Sequence, residues 1–169
     1  MTFNDLQNTL VSEVERILSE VQSKNTDDET VVGITGYAHR LPITQSAEDD
    51  PAQFFPYFIV RIDNGKTADD NDCWHVAVNI LLGVYESDVP QSDDKEEDLS
   101  IVPAGHEQIL TMIQRITNRF VNDPGLAQMY RADQDIDWAV GDDDTYPFYF
   151  GMVGITFSVP KIGRREYDV

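Results

Sequence analysis

Positive charge is scarce in this sequence of 169 residues: 12 Lys and Arg stand against 31 Asp and Glu, a formal net charge of −19. Nucleic-acid binding through phosphates needs clustered Lys and Arg, so the chain on balance repels a polyanion, and specific binding to DNA or RNA is not expected. Fixed carboxylates can instead keep phosphates off a surface past which DNA must slide, and they serve solubility equally well. Cysteine is nearly absent. Cys73 is the only one, which excludes an internal disulfide and a multi-thiolate metal site within one chain, and fits a reducing compartment. No apolar run approaches the roughly 20 residues of a membrane span. Residues 1–10 carry an acid and amides where a secretory leader has a basic start and an apolar centre, so synthesis in the cytoplasm and no membrane partner are expected.

Catalytic and cofactor signatures are also missing. Gly33 and Gly36 lie near a strand, but neither a dinucleotide-binding glycine pattern nor a P-loop follows. His39, His75 and His106 fall in a loop, a strand and a helix, with no i, i+4 or H-x-H spacing that would preform a metal site. Cys73 and His75 share one face of a strand, with no third group in the sequence to orient them as nucleophile and base. Asp142-Asp143-Asp144 lacks the central Gly and closing Glu of a calcium loop and reads as a solvated turn. Carboxylates are so numerous that no particular pair is singled out as acid and base. The expectation is a protein that is not an enzyme and needs no cofactor.

What is present suffices for one folded domain over residues 1–169. Hydrophobic residues make up 41% and charged residues 25%, and a chain of about 150 residues buries roughly 70% of its unfolded surface. Phe3, Leu6, Leu10, Val14, Ile17, Leu18 and Val21 recur at helical spacing and predict an amphipathic helix over about 3–24, followed by a short strand at 31–37. Residues 38–53 hold Pro42, Pro51, Glu48, Asp49 and Asp50 without a period and read as a long flexible loop. A strand over 54–62 is expected to close at Asp63-Asn64-Gly65 and to pair as a hairpin with the alternating run Trp74, Val76, Val78, Ile80, Leu82 and Val84.

Residues 86–98 contain seven acids and one Lys, too polar to order by themselves, so a second flexible acidic loop is expected over about 86–100. His106, Ile109, Leu110, Ile113, Ile116 and Phe120 predict a second helix, stopped by Asn122-Asp123-Pro124-Gly125. A bulged strand over 126–140 and a final strand over 146–159 complete the chain, ahead of a short tail at 161–169. The sum is an α+β domain: an antiparallel-rich sheet of about four or five strands with two amphipathic helices on one face.

Three groups of residues invite an assembly role. The runs Phe54-Phe55-Pro56-Tyr57-Phe58 and Tyr146-Pro147-Phe148-Tyr149-Phe150 concentrate aromatics that can anchor an interface or a core, with Phe54, Phe55 and Tyr57 as interface candidates. Lys161, Arg164 and Arg165 place cations together at the tail, where they could reach an acidic neighbour or simply fray. Asp93, Asp94, Glu96, Glu97 and Asp98 form a segment suited to ordering against a partner.

Phe55-Pro56-Tyr57-Phe58-Ile59-Val60-Arg61, the strand Val76 to Tyr85 leading into acids, the helix Gln108 to Phe120, Trp138 followed by Tyr146-Pro147-Phe148, and Ile155 to Pro160 cover most of the chain after residue 54. In this pattern and element order the chain resembles the tail terminator, or tail completion, proteins of tailed bacteriophages and prophages. The resemblance implies a homo-oligomeric ring, commonly of six copies, that caps the tail tube and forms part of the head–tail joint. Its partners would be other copies of itself, the tube protein and head connector proteins, with DNA passing through without specific binding. It also implies a place in the virion. Another phage neck or minor tail joining protein is the alternative, and a small metal- or ligand-dependent enzyme a further one.

Overall fold

The computed structural model describes residues 2–27, 30–43, 50–67, 73–87, 104–142 and 144–161. The acidic segment with Asp93, Asp94, Glu96, Glu97 and Asp98, the tail with Arg164 and Arg165, part of the 38–53 loop, and Asp143 lie outside the described residues.

Helix α1 spans Phe3–Ile17. Its start is fixed by a capping box in which the Thr2 hydroxyl accepts from the Asp5 backbone N–H and the Asp5 carboxylate accepts from that of Thr2. The helix is shorter than its apolar spacing predicts. The Ser19 hydroxyl bonds back to the Arg16 carbonyl, a local alternative to the next helical turn, and the chain turns into a short strand. Leu18 and Val21 are buried all the same, through that turn. Helix α2 spans Ala104–Asn122 and buries Ile109, Met112, Ile113, Ile116 and Phe120 along one stripe.

Among the described residues the strands are β1 (Gln22–Lys24), β2 (Val31–Gly33), β3 (Thr35–Ala38), β4 (Tyr57–Thr67), β5 (Cys73–Tyr85), β6 (Gly125–Leu126), β7 (Tyr130–Val140) and β8 (Phe148–Pro160). They form one sheet of order β2-β1-β5-β8-β7-β6, with β4 also on β5 and β3 on β4. Every pairing is antiparallel except β3 with β4. The α+β class holds, but eight strands exceed the four or five read from the sequence. The excess is in strands of two to four residues, too short to carry an alternating pattern.

Two other expectations change. The strand expected at 31–37 is two strands: β2 pairs with β1, while β3 runs parallel to β4. Asp63-Asn64-Gly65 does not turn the chain. It lies within β4, where the register against β5 slips between Ile62 and Asn64, so the extra residue is taken up as a bulge.

Both helices cover one face of the sheet, α1 over β3 and β4 and α2 over β5, β7 and β8. Between them lies the main core, with Leu6, Leu10 and Val14 of α1 and the helix stripe of α2 against Phe58, Val60, Val78, Ile80, Leu82, Val153, Ile155 and Phe157. Period-two alternation sends Ala77, Asn79, Leu81, Met152, Gly154 and Thr156 to the opposite, helix-free face.

Candidate interaction surfaces

Members of the two aromatic runs, about 90 residues apart in sequence, meet on the helix-free face. Phe55 lies 4.8 Å from Phe148 and 5.8 Å from Phe150 between ring centroids, and 4.8 Å from Tyr57. A single 3₁₀ turn at Pro51–Phe54 delivers Phe54 and Phe55 to this place, with the Asp50 carboxylate accepting from the Ala52 N–H. The result is a second, smaller core of Phe55, Tyr57 and Ile59, with Tyr37, Leu41, Phe54, Leu81, Tyr85 and Phe148 against it. Phe55 and Tyr57 are each only 8% exposed, so their surface is largely spent within the chain. Burial also pushes the Tyr57 phenol above its ordinary pKa. Phe54 is half-buried, and the accessible rim is Tyr146, 49% exposed, and Phe150, 36% exposed.

Beside that rim sits a polar knot that the sequence hid. Glu86 reads as the first acid of the flexible segment, yet it is 5% exposed. Its carboxylate accepts from Lys24 Nζ at 3.2 Å and from Gln108 Nε2 at 3.5 Å, and Gln108 Oε1 accepts from the Ser23 hydroxyl at 2.7 Å. A buried charge needs such a partner set, and this one ties β1, the end of β5 and the first turns of α2. The Tyr146 hydroxyl donates to the Ser87 carbonyl at 2.7 Å, and the Glu86 N–H donates to the Pro147 carbonyl. These bonds hold the chain as far as Ser87, two residues past the end of β5. Nothing in the spacing of Ser23, Lys24, Glu86 and Gln108 signals their meeting.

A cavity of about 280 Å³ opens nearby, lined by His106, Val140, Tyr146, Tyr149 and Phe150 among others. That volume is at or below the lower limit of pockets that enclose a small organic ligand, about 300 Å³. Burial is the main cause raising the Tyr149 pKa, with Tyr146, Glu86 and Asp144 adding to it. His75 gains the neighbour that the sequence did not reveal: Asp133 Oδ2 stands 3.7 Å from its Nδ1, because the bulge in β7 brings that carboxylate to the same face. His39 is exposed on a loop at positive φ, and His106 lines the cavity, so the three imidazoles stay apart. Among the described residues no three His, Cys, Asp or Glu side chains form a metal-binding group. No helix of the described residues is long and apolar enough to cross a membrane.

Charge is unevenly placed. Asp133, Asp135 and Asp137 lie on β7, and Asp142 and Asp144 in the turn after it. Arg16, Arg115 and Arg119 gather instead in a groove between the two helices, bound to Glu13, Glu20 and Asp123. Lys161 follows the last residue of β8 and is half-buried. No protein-family model matches the chain, and no curated protein matches it.

Proposed function

We propose that the chain is a structural, non-enzymatic protein of a tailed-phage virion: a tail terminator that closes as a ring of identical copies on the tail tube and forms part of the head–tail joint. The observation that carries this reading is the acidic turn after β7, exposed at Asp142 and Asp144, in a chain with a formal net charge of −19. Repeated around a ring, such a turn gives a wall that repels phosphate, and a genome can pass it without sticking. A helix-packed face and a helix-free face supply distinct surfaces for different neighbours, and the aromatic rim of Tyr146 and Phe150 offers the large apolar anchors that interfaces favour. Function then rests on shape and ring closure.

Negative-stain electron microscopy of the purified chain tests the reading. Closed annuli with a channel wide enough for a DNA duplex are the expected result. Single compact particles at every concentration would instead favour another neck or minor tail protein that docks one copy at a time.

A further inference from the structure

Among the described residues, two of the longer strands, β4 and β7, each leave a stretch of open edge, and the two stretches carry opposite charge. On one side β3 covers β4 only as far as Val60, so the backbone of Arg61–Thr67 has no strand partner on its outer side among the described residues. That stretch is accompanied by Arg61, Lys66 and the neighbouring Arg40, with Asp63 at the bulge as its one acid. On the other side β6 covers β7 at Tyr130 and Arg131 and the Ala132 N–H donates to the Pro124 carbonyl, so 133–140 have no strand partner on the outer side among the described residues. This edge carries Asp135 and Asp137, with Arg131 at its start. Arg40, Arg61, Lys66, Asp135 and Asp137 have no ion-pair partner among the described residues, whereas Arg16, Lys24, Arg115 and Arg119 all do.

The register makes the polarity explicit. Arg61 pairs with Asn79, Asn79 with Gly154 and Gly154 with Asp137, so one row across the helix-free face starts with a cation at one edge and ends with a carboxylate at the other. Trp138, next along β7, is 55% exposed. An open groove of about 660 Å³ runs beside the bulge, lined by Val121, Arg131, Asp133 and Asp135. Unpaired strand edges are usually blunted by like charge, and acids alone on β7 would do that. Free cations on the opposite edge make the pair complementary.

We propose that the partner of the β7 edge is the β4 edge of a second copy of this chain, joined strand to strand with Asp135 and Asp137 facing Arg61 and Lys66. Two different edges meeting head to tail give a heterologous contact, the kind that closes into a ring when its rotation allows. The inference rests on the ring reading above and names the surfaces that build it.

Two double variants of the full chain test it, weighed in solution by light scattering: Asp135→Lys with Asp137→Lys, and Arg61→Glu with Lys66→Glu. Each alone sets like charges across every contact and is expected to weaken association roughly tenfold or more. Mixed together they are expected to regain the mass of the unmodified chain, because alternating copies restore opposite charges at each junction. The first variant also lowers the net negative charge, so general repulsion between copies would make it associate more readily, the opposite sign. An unchanged mass for either variant, or a mixture that stays dissociated, overturns the edge contact and leaves the ring reading standing. An unmodified chain that remains a monomer overturns both.

Discussion

The Tyr130 ring is almost fully buried in the main core, and its hydroxyl has no hydrogen-bond partner among the described residues. Burial pushes its pKa up, with Asp5 adding to the effect. A buried donor without a partner carries its desolvation cost uncompensated. Tyr130→Phe is therefore expected to leave stability unchanged or raise it by up to about 1 kcal/mol, read from the midpoint of urea unfolding. A loss of more than about 1 kcal/mol would mean that the hydroxyl is satisfied. The aromatic runs teach a related lesson. Their density marked Phe54, Phe55 and Tyr57 as important, but side-chain type alone does not separate an interface anchor from a core anchor. The outcome depends on Phe148 and Phe150 arriving from the far end of the chain. Glu86 escaped notice for the same reason, since its burial depends on Lys24 and Gln108, which are distant in sequence.

Between elements, a charged hydrogen-bonded link joins α1 to α2. Glu13 accepts from Arg16 and, at 2.6 Å, from Arg119, whose guanidinium also donates to the carbonyls of Asp123 and Gly125. The hydrogen bond from Arg16, followed by that from Arg119, holds the Glu13 carboxyl below the ordinary glutamate range despite partial burial. A carboxyl with a depressed folded-state pKa contributes stability that is full above its unfolded value of about 4.3 and is lost as pH falls through the folded value. Glu13→Gln should thus cost about 1 to 2 kcal/mol at pH 7, and the difference from the unmodified chain should shrink as the pH falls below about 4. Unfolding curves at several pH values check this, and a gap that does not change with pH would contradict it.

Legibility at this scale followed element length. The long strands β5 and β8 and the helix α2 were readable because ten or more residues repeat one period with one face buried. The strand β1 was not, nor was the division of 31–37 into β2 and β3 or of 126–140 into β6 and β7, because two to four residues cannot show alternation and their place is decided by partners. The sequence Asp63-Asn64-Gly65 is a strong local turn signal, yet β5 supplies a strand partner on both sides of it, and pairing outweighed the local preference.

For the molecule as a whole, the charge balance is the property read most directly, and its placement the one that needed coordinates. Composition gives an excess of acid, whereas only the fold sets Asp135 and Asp137 on one sheet edge and Arg61 and Lys66 on the other. Copies with a formal charge of −19 repel one another at long range, while opposite charges in contact are screened less than separated ones. Association should therefore strengthen from low to moderate salt as the long-range repulsion fades. The most direct test of the account is the mass of the purified chain in solution, measured by light scattering at low and at roughly physiological ionic strength. The account predicts one discrete multiple of the chain mass, consistent with a closed ring, that grows in population as salt is raised. A single-chain mass at every salt and protein concentration would contradict it.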